Sequence, residues 1–87
     1  MQILKRNGQL QPFNSEKIEI ALEKCFRSIG KKDSKDLAKK YANYINSEII
    51  RLFVTPSVET IQSFIERVLL DKGEFPAYEE YSRYRKE

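Results

Sequence analysis

Apolar positions fall into four runs at helical spacing, preceded by a short segment that reads as extended. In the first run Ile18, Ala21, Leu22, Cys25, Phe26 and Ile29 recur every three or four residues, as one face of a helix requires. Asn14 stands before it as an N-cap, with Phe13 and Ile18 at the hydrophobic-staple spacing, and Gly30 stops it. A second, longer run has Ala38, Tyr41, Ile45, Ile49 and Leu52 as its inner stripe, with Leu37, Tyr44 and Phe53 alongside. Asp33 or Ser34 caps it. The third run holds Val58, Ile61, Phe64, Ile65, Val68 and Leu69. Its start admits two readings: Thr55 as cap with Pro56 at the first helical position, or Ser57 as cap. After "DKGEFP", a fourth helix over about residues 76–86 carries Ala77, Tyr78, Tyr81 and Tyr84 inward or half inward, as packing residues.

Residues 1–6 and 9–12 read as two short strands around Asn7-Gly8, the preferred pair for a two-residue type I′ turn. That turn sets Arg6 opposite Gln9, Lys5 opposite Leu10 and Leu4 opposite Gln11, and Pro12 ends the second strand or lies at an edge. Lys5 then shares a face with Ile3 and Leu10, an odd place for a charge unless it is paired or snorkels to the rim. The arrangement that buries all these stripes is α+β: a four-helix bundle capped by a small N-terminal β-hairpin or sheet, one domain over residues 1–87.

Composition removes several kinds of chemistry. There is one cysteine and no histidine, so an intrachain disulfide, a zinc site of nitrogen and sulfur ligands and a nucleophile–histidine pair are all excluded. Cys25 reads as a small buried hydrophobe. The chain has no apolar run long enough for a membrane span or a signal peptide, and a cytoplasmic setting is expected. The net charge of +3 is unevenly spread: residues 1–40 carry ten of the sixteen basic residues and five acids. The first half can attract an anion, or its lysines can simply form a solvated face.

Lys5, Arg6 and Lys17 sharpen that choice. With Asn14 as cap, Lys17 occupies the third helical position, where a lysine opposes the helix dipole. Free amides at residues 15–17 together with this lysine would suit a phosphate. Glu16 partly offsets the effect, and exposed lysines often break dipole preferences at small cost, so the solvated reading stays open beside it. The chain has neither a Walker-type loop nor a Gly-x-Gly-x-x-Gly run. If a nucleotide binds, the hairpin and the helix ends must hold it.

"LKRNGQLQPFNSEKIEIAL" resembles the opening of the ATP-cone domain: Lys-Arg-Asp-Gly, a few residues, an acid, Pro-Phe-Asp, then Glu-Lys-Ile. "SVETIQSFIERVLL" is similar to that family's third helix, and "AYEEYSRYRK" to its closing alanine, tyrosine and Tyr-Arg pattern. The resemblance covers essentially the whole chain. It implies a four-helix bundle under a small sheet and an allosteric switch governed by ATP or dATP, as found at the N-terminus of ribonucleotide reductase subunits. A reductase-gene repressor also carries this domain behind a zinc ribbon, which this sequence lacks.

By the same resemblance Lys5 and Arg6 match the family's basic pair near the phosphates, Lys17 its phosphate lysine, and Asn14 a base-contacting cap. Phe13 and Ile18 match the apolar base wall. Ile61 and Gln62 match a pocket position and its polar neighbour, and Lys86 a late basic residue that reaches phosphate. Three positions depart from the pattern. Asn7 replaces an Asp, Gln11 stands where an acid is usual, and Val58 stands where some members carry a nucleotide-contacting threonine. The implied effector is ATP or dATP, with magnesium carried on its phosphates. The implied partners are reductase subunits or a second copy of the chain, with no catalytic residue in the domain itself. Two rivals predict different behaviour. A nucleic-acid module using the lysines of residues 31–40 predicts steep salt dependence, but lacks aromatics beside those lysines and is disfavoured. An oligomerisation module predicts self-association that ignores nucleotide. The ending "YSRYRKE" suggests a domain cut from a longer chain.

Overall fold

The computed structural model describes residues 1–86. Two strands, β1 (Gln2–Leu4) and β2 (Leu10–Pro12), form an antiparallel hairpin, followed by four helices: α1 (Ser15–Ser28), α2 (Ser34–Leu52), α3 (Val58–Asp71) and α4 (Phe75–Lys86). The expected α+β architecture, a helical bundle with an N-terminal hairpin, is the one observed.

The hairpin departs from the expected register. Leu4 pairs with Leu10, Ile3 with Gln11 and Gln2 with Pro12. The Gly8 N–H donates to the Lys5 carbonyl at 3.0 Å, and the Lys5 N–H donates to the Gln9 carbonyl at 2.8 Å. The loop is thus three residues, Arg6 to Gly8, with Gly8 alone at positive φ (+85°). Such a loop joins a turn of ordinary hand to a left-handed glycine, and it needs no positive φ at Asn7. The Asn7 side chain instead braces the loop, its Oδ1 accepting from the Gln9 N–H at 3.1 Å. The one-residue slip puts Leu4 and Leu10 on the outer face, where both are exposed, and Ile3 with Gln11 on the inner face. Lys5 falls opposite Gln9 rather than Leu10.

Each helix is set by its caps. Asn14 caps α1 through its side chain, and Gly30 (φ +85°) closes it, with the Lys31 N–H returning to the Phe26 carbonyl at 3.0 Å. Asp33 holds the cap position of α2 without a side-chain bond. Ser57 caps α3, its Oγ accepting from the Thr60 N–H at 3.0 Å, which decides between the two starts that the sequence allowed. Pro56 lies outside the helix, and its carbonyl accepts from the Leu4 N–H at 2.9 Å, tying β1 to the entrance of α3.

The core runs from Ile3 and Ile18 through Phe26, Tyr41, Ile45 and Ile49 to Ile65, Leu69, Ala77 and Tyr81. Phe26 and Tyr41 stack with ring centroids 5.7 Å apart, and the Tyr41 hydroxyl donates to the Glu74 carboxylate at 2.8 Å. Leu52, expected on the inner stripe of α2, and Tyr44, expected alongside it, are both about half exposed. Tyr44 is used from outside instead, with the Lys72 ammonium 4.8 Å from its ring centroid.

Candidate functional site

A cavity of about 480 Å³ opens under the hairpin, where the entrances of α1 and α3 meet α4. Small-molecule sites fall in the range of about 300–1,000 Å³. The hairpin contributes Ile3, Gln11 and Pro12 to its wall. The observed register is what brings Gln11 here, since residues paired directly across strands share a face. The start of α1 contributes Phe13, Asn14, Lys17, Ile18 and Ala21, and α3 contributes Val58, Ile61, Gln62 and Ile65. From α4 come Tyr81 and Tyr84.

The wall is mostly apolar and its polar groups are few. Among the described residues Lys17 is the one cation on it, exposed and standing in the first turn of α1. No carboxylate among the described residues borders the space. The surroundings of Lys17 differ from expectation in one respect. The Glu16 N–H donates to Asn14 Oδ1 at 3.0 Å, and the Lys17 N–H to the Asn14 carbonyl at 3.2 Å. Two of the three amides expected to be free for an anion are therefore committed to the cap. The lysine side chain carries the attraction, with the dipole behind it.

Gln62 is the polar member of the α3 stripe. Its Oε1 is buried without a hydrogen-bond partner among the described residues. Buried acceptors are nearly always satisfied, so an orphaned one on a cavity wall marks a place for a donor from outside the chain.

The structure thus gathers Gln11, Phe13, Asn14, Lys17, Ile18, Val58, Ile61 and Gln62 around one space. Lys5, Arg6 and Lys86 lie off its wall. Arg6, at the hairpin tip, is ion-paired with Glu59 in the first turn of α3. The Glu59 carboxyl is held below its ordinary range by its own backbone N–H and by this guanidinium. Lys86 is exposed in the last turn of α4.

Ile3, Ile65, Tyr81 and Tyr84 are wall residues that the sequence reading took as strand or packing. Their spacing is that of core positions, so periodicity alone cannot separate them from it. Tyr81 is buried, and burial pushes its phenol well above the ordinary tyrosine range. Tyr84 is half exposed, with its ring centroid 5.9 Å from that of Tyr81. It also borders a smaller crevice of about 150 Å³ with Lys24, Cys25, Ser28 and Glu80. The α4 wall is clamped to α3 by Arg85, whose Nη1 lies 2.6 Å from Glu66 Oε1, and by the Ser82 hydroxyl, which donates to the other Glu66 oxygen.

Among the described residues there is no cluster of three or more His, Cys, Asp or Glu side chains that could hold a metal ion, and no helix is long and apolar enough to cross a membrane. Burial, reinforced by the Glu80 charge, raises the Cys25 thiol to about 11, so it is neither a thiolate nucleophile nor a ready ligand at neutral pH.

The ATP cone domain family profile matches residues 1–87. Over 92 residues the chain is 33% identical to ribonucleoside-diphosphate reductase subunit alpha of Treponema pallidum (strain Nichols), an alignment that takes in 98% of this chain. The chain spans 11% of that relative's length. The matched profile runs through the hairpin, the cap of α1 and the α3 stripe, the same segments that wall the cavity. The chain belongs to the ATP-cone family of nucleotide-binding regulatory domains.

Proposed function

We propose that residues 1–87 act as one regulatory domain that binds ATP or dATP without hydrolysing it and so sets the activity of a ribonucleotide reductase. The observation that carries this reading is the cavity itself: apolar walls for a base, with Lys17 as the cation for a polyphosphate. Phe13, Ile18 and Ile61 flank the base, and Lys17 neutralises phosphate. Magnesium enters with the nucleotide rather than through a protein cage. Lys5, Arg6 and Lys86 supply further positive charge once the phosphates arrive, and for Arg6 this requires release from Glu59.

The signal is a shift in population rather than a new shape. The cavity draws its wall from the hairpin, α1, α3 and α4, so a ligand that fills it favours arrangements in which all four are closed together. A partner that touches any of them then meets a different surface, which is the coupling that regulation needs. The partner in this reading is a reductase subunit or a second copy of the chain, in the cytoplasm where the nucleotide pools lie. ATP and dATP differ by one hydroxyl, so ribose contacts must bias association differently for the two. Titration calorimetry with each nucleotide tests the binding step. Saturable binding of either is expected, and no heat above the buffer control at millimolar nucleotide ends the proposal. Light scattering with and without dATP then tests whether assembly follows occupancy.

A further inference from the structure

We propose that Asn7 is a covalent modification site, where the Gly8 backbone nitrogen attacks the Asn7 carboxamide and expels ammonia whenever the hairpin loop opens. This stands apart from the nucleotide reading and does not rest on it. Asn7 is exposed at the hairpin tip. The residue after it is a glycine, which has no Cβ to screen its nitrogen. Asparagine is among the thermally labile residues, and none of the other three, Asn14, Asn43 and Asn46, precedes a glycine.

The step needs only the chain and water. The Gly8 nitrogen gives up its proton and bonds to Asn7 Cγ, the Cγ–Nδ2 bond breaks, and ammonia leaves with that proton. A succinimide ring remains, and water opens either of its carbonyls. Opening at Cγ restores the main chain and leaves an aspartyl residue at position 7. Opening at the main-chain carbonyl leaves Gly8 linked through the former side chain, an isoaspartyl residue with an extra carbon in the main chain. Either product adds a negative charge to the tip.

Three hydrogen bonds hold the reacting groups apart in the closed loop. The Gly8 N–H donates to the Lys5 carbonyl at 3.0 Å, which commits the attacking nitrogen. That bond closes Lys5 to Gly8 as a turn in which Asn7 has no positive φ, so Asn7 stands third in a turn of ordinary hand, with ψ of about 0°. Ring closure needs ψ turned far from there, until Cβ eclipses the Gly8 nitrogen. The Asn7 Oδ1 accepts from the Gln9 N–H at 3.1 Å, and Nδ2 donates to Gln9 Oε1 at 3.2 Å. Both contacts direct the carboxamide toward Gln9 and away from Gly8. Attack therefore waits for a local opening, which an exposed loop undergoes more often than the whole fold does.

The two products treat the hairpin differently. An aspartyl carboxylate still accepts from the Gln9 N–H, as a charge-assisted bond. An isoaspartyl residue lengthens a loop held between the Gly8 to Lys5 and Lys5 to Gln9 bonds, and the register set by those bonds is lost. Ile3 and Gln11 reach the cavity wall through that register.

The test follows each asparagine by mass-resolved peptide mapping in one mildly alkaline buffer. The samples are the folded 87-residue chain, the same chain in guanidinium chloride, and a peptide of residues 3–10. The mass of an amide turned acid, in both isomers, should appear at position 7 of every sample and ahead of Asn14, Asn43 and Asn46. The folded chain should convert more slowly than the peptide by about tenfold or more, and by the same factor that protects the Gly8 N–H from hydrogen exchange. The purified isoaspartyl chain should melt below the parent, and Asn7→Asp close to it. Equal rates in folded chain and peptide, or a folded rate out of step with Gly8 exchange, overturn the proposal. So does a folded chain that stays unconverted after the peptide has reacted fully, or one that converts first at another asparagine. An isoaspartyl chain that melts with the parent overturns the account of the loop. None of these outcomes touches nucleotide binding.

Discussion

The Arg6 guanidinium, at the tip of the hairpin, is paired across 53 residues of sequence with the Glu59 carboxylate at the start of α3. Together with the Leu4 N–H donating to the Pro56 carbonyl, it fastens the hairpin to the entrance of α3. The same pairing keeps a cation away from the cavity that the family resemblance would bring to phosphate. Under the proposed function, the carboxylate and a nucleotide tail would compete for one guanidinium.

Glu59→Gln should therefore tighten nucleotide binding, because it frees Arg6. Exposed ion pairs are weak, so the gain should stay below about fivefold and shrink as salt is added. The gain should vanish in an Arg6→Ala background. Calorimetry on the four members of that cycle checks it, and weaker binding by Glu59→Gln would remove Arg6 from the phosphate side.

Lys17→Ala should weaken ATP by the worth of one charge-assisted contact, about 1.5–3 kcal/mol, with the melting temperature of the empty domain nearly unchanged. Lys17 is exposed and carries no packing role, so lost affinity cannot be blamed on lost fold. An unaltered dissociation constant would take this lysine out of the site.

Alkaline pH should destabilise the domain. Burial raises the Cys25 thiol to about 11 and, with the Glu74 hydrogen bond, the Tyr41 phenol to about 12, from ordinary values of 9.0 and 10.0. The folded chain holds these protons after the unfolded chain has released them. Stability should therefore fall as pH rises past about 9 and continue to fall toward 12. Urea midpoints across that range measure the slope. At pH 8, native Cys25 should react with a thiol reagent only as fast as the chain opens, and promptly in denaturant.

Gly8→Ala should cost about 1–2 kcal/mol, the price of a left-handed backbone for a residue with a Cβ. The space around Gly8 is open, so no clash adds to it. Gly8→Asn should recover part of the loss, since Asn tolerates that region better. If alanine were neutral in urea denaturation, the three-residue loop would not be a constraint on the fold.

What the chain reveals in advance follows the range of the interactions involved. The α1 cap and the glycine stop are local, and Asn14 and Gly30 do what their spacing says. The hairpin was half legible. Asn7-Gly8 marks a turn, but two loop lengths share that signature. The choice between them is made by contacts distant in sequence, Ile3 in the core and Leu4 on Pro56. Leu52 and Tyr44 obey the helical period and are still about half exposed, because what covers a helix is not written in its own stripe. Within the cavity, the Gln62 position was reached through the family resemblance and not through the periodicity of α3. Tyr81 and Tyr84 were not, since a tyrosine at core spacing looks alike whether it meets another side chain or an opening.

Tyr84 belongs to two hollows at once. Its half-exposed ring is a party wall, and a rotation that gives one chamber room takes it from the other. An occupant of the larger space that turned this ring would therefore reshape the crevice between α1 and α4, at Lys24 and Glu80.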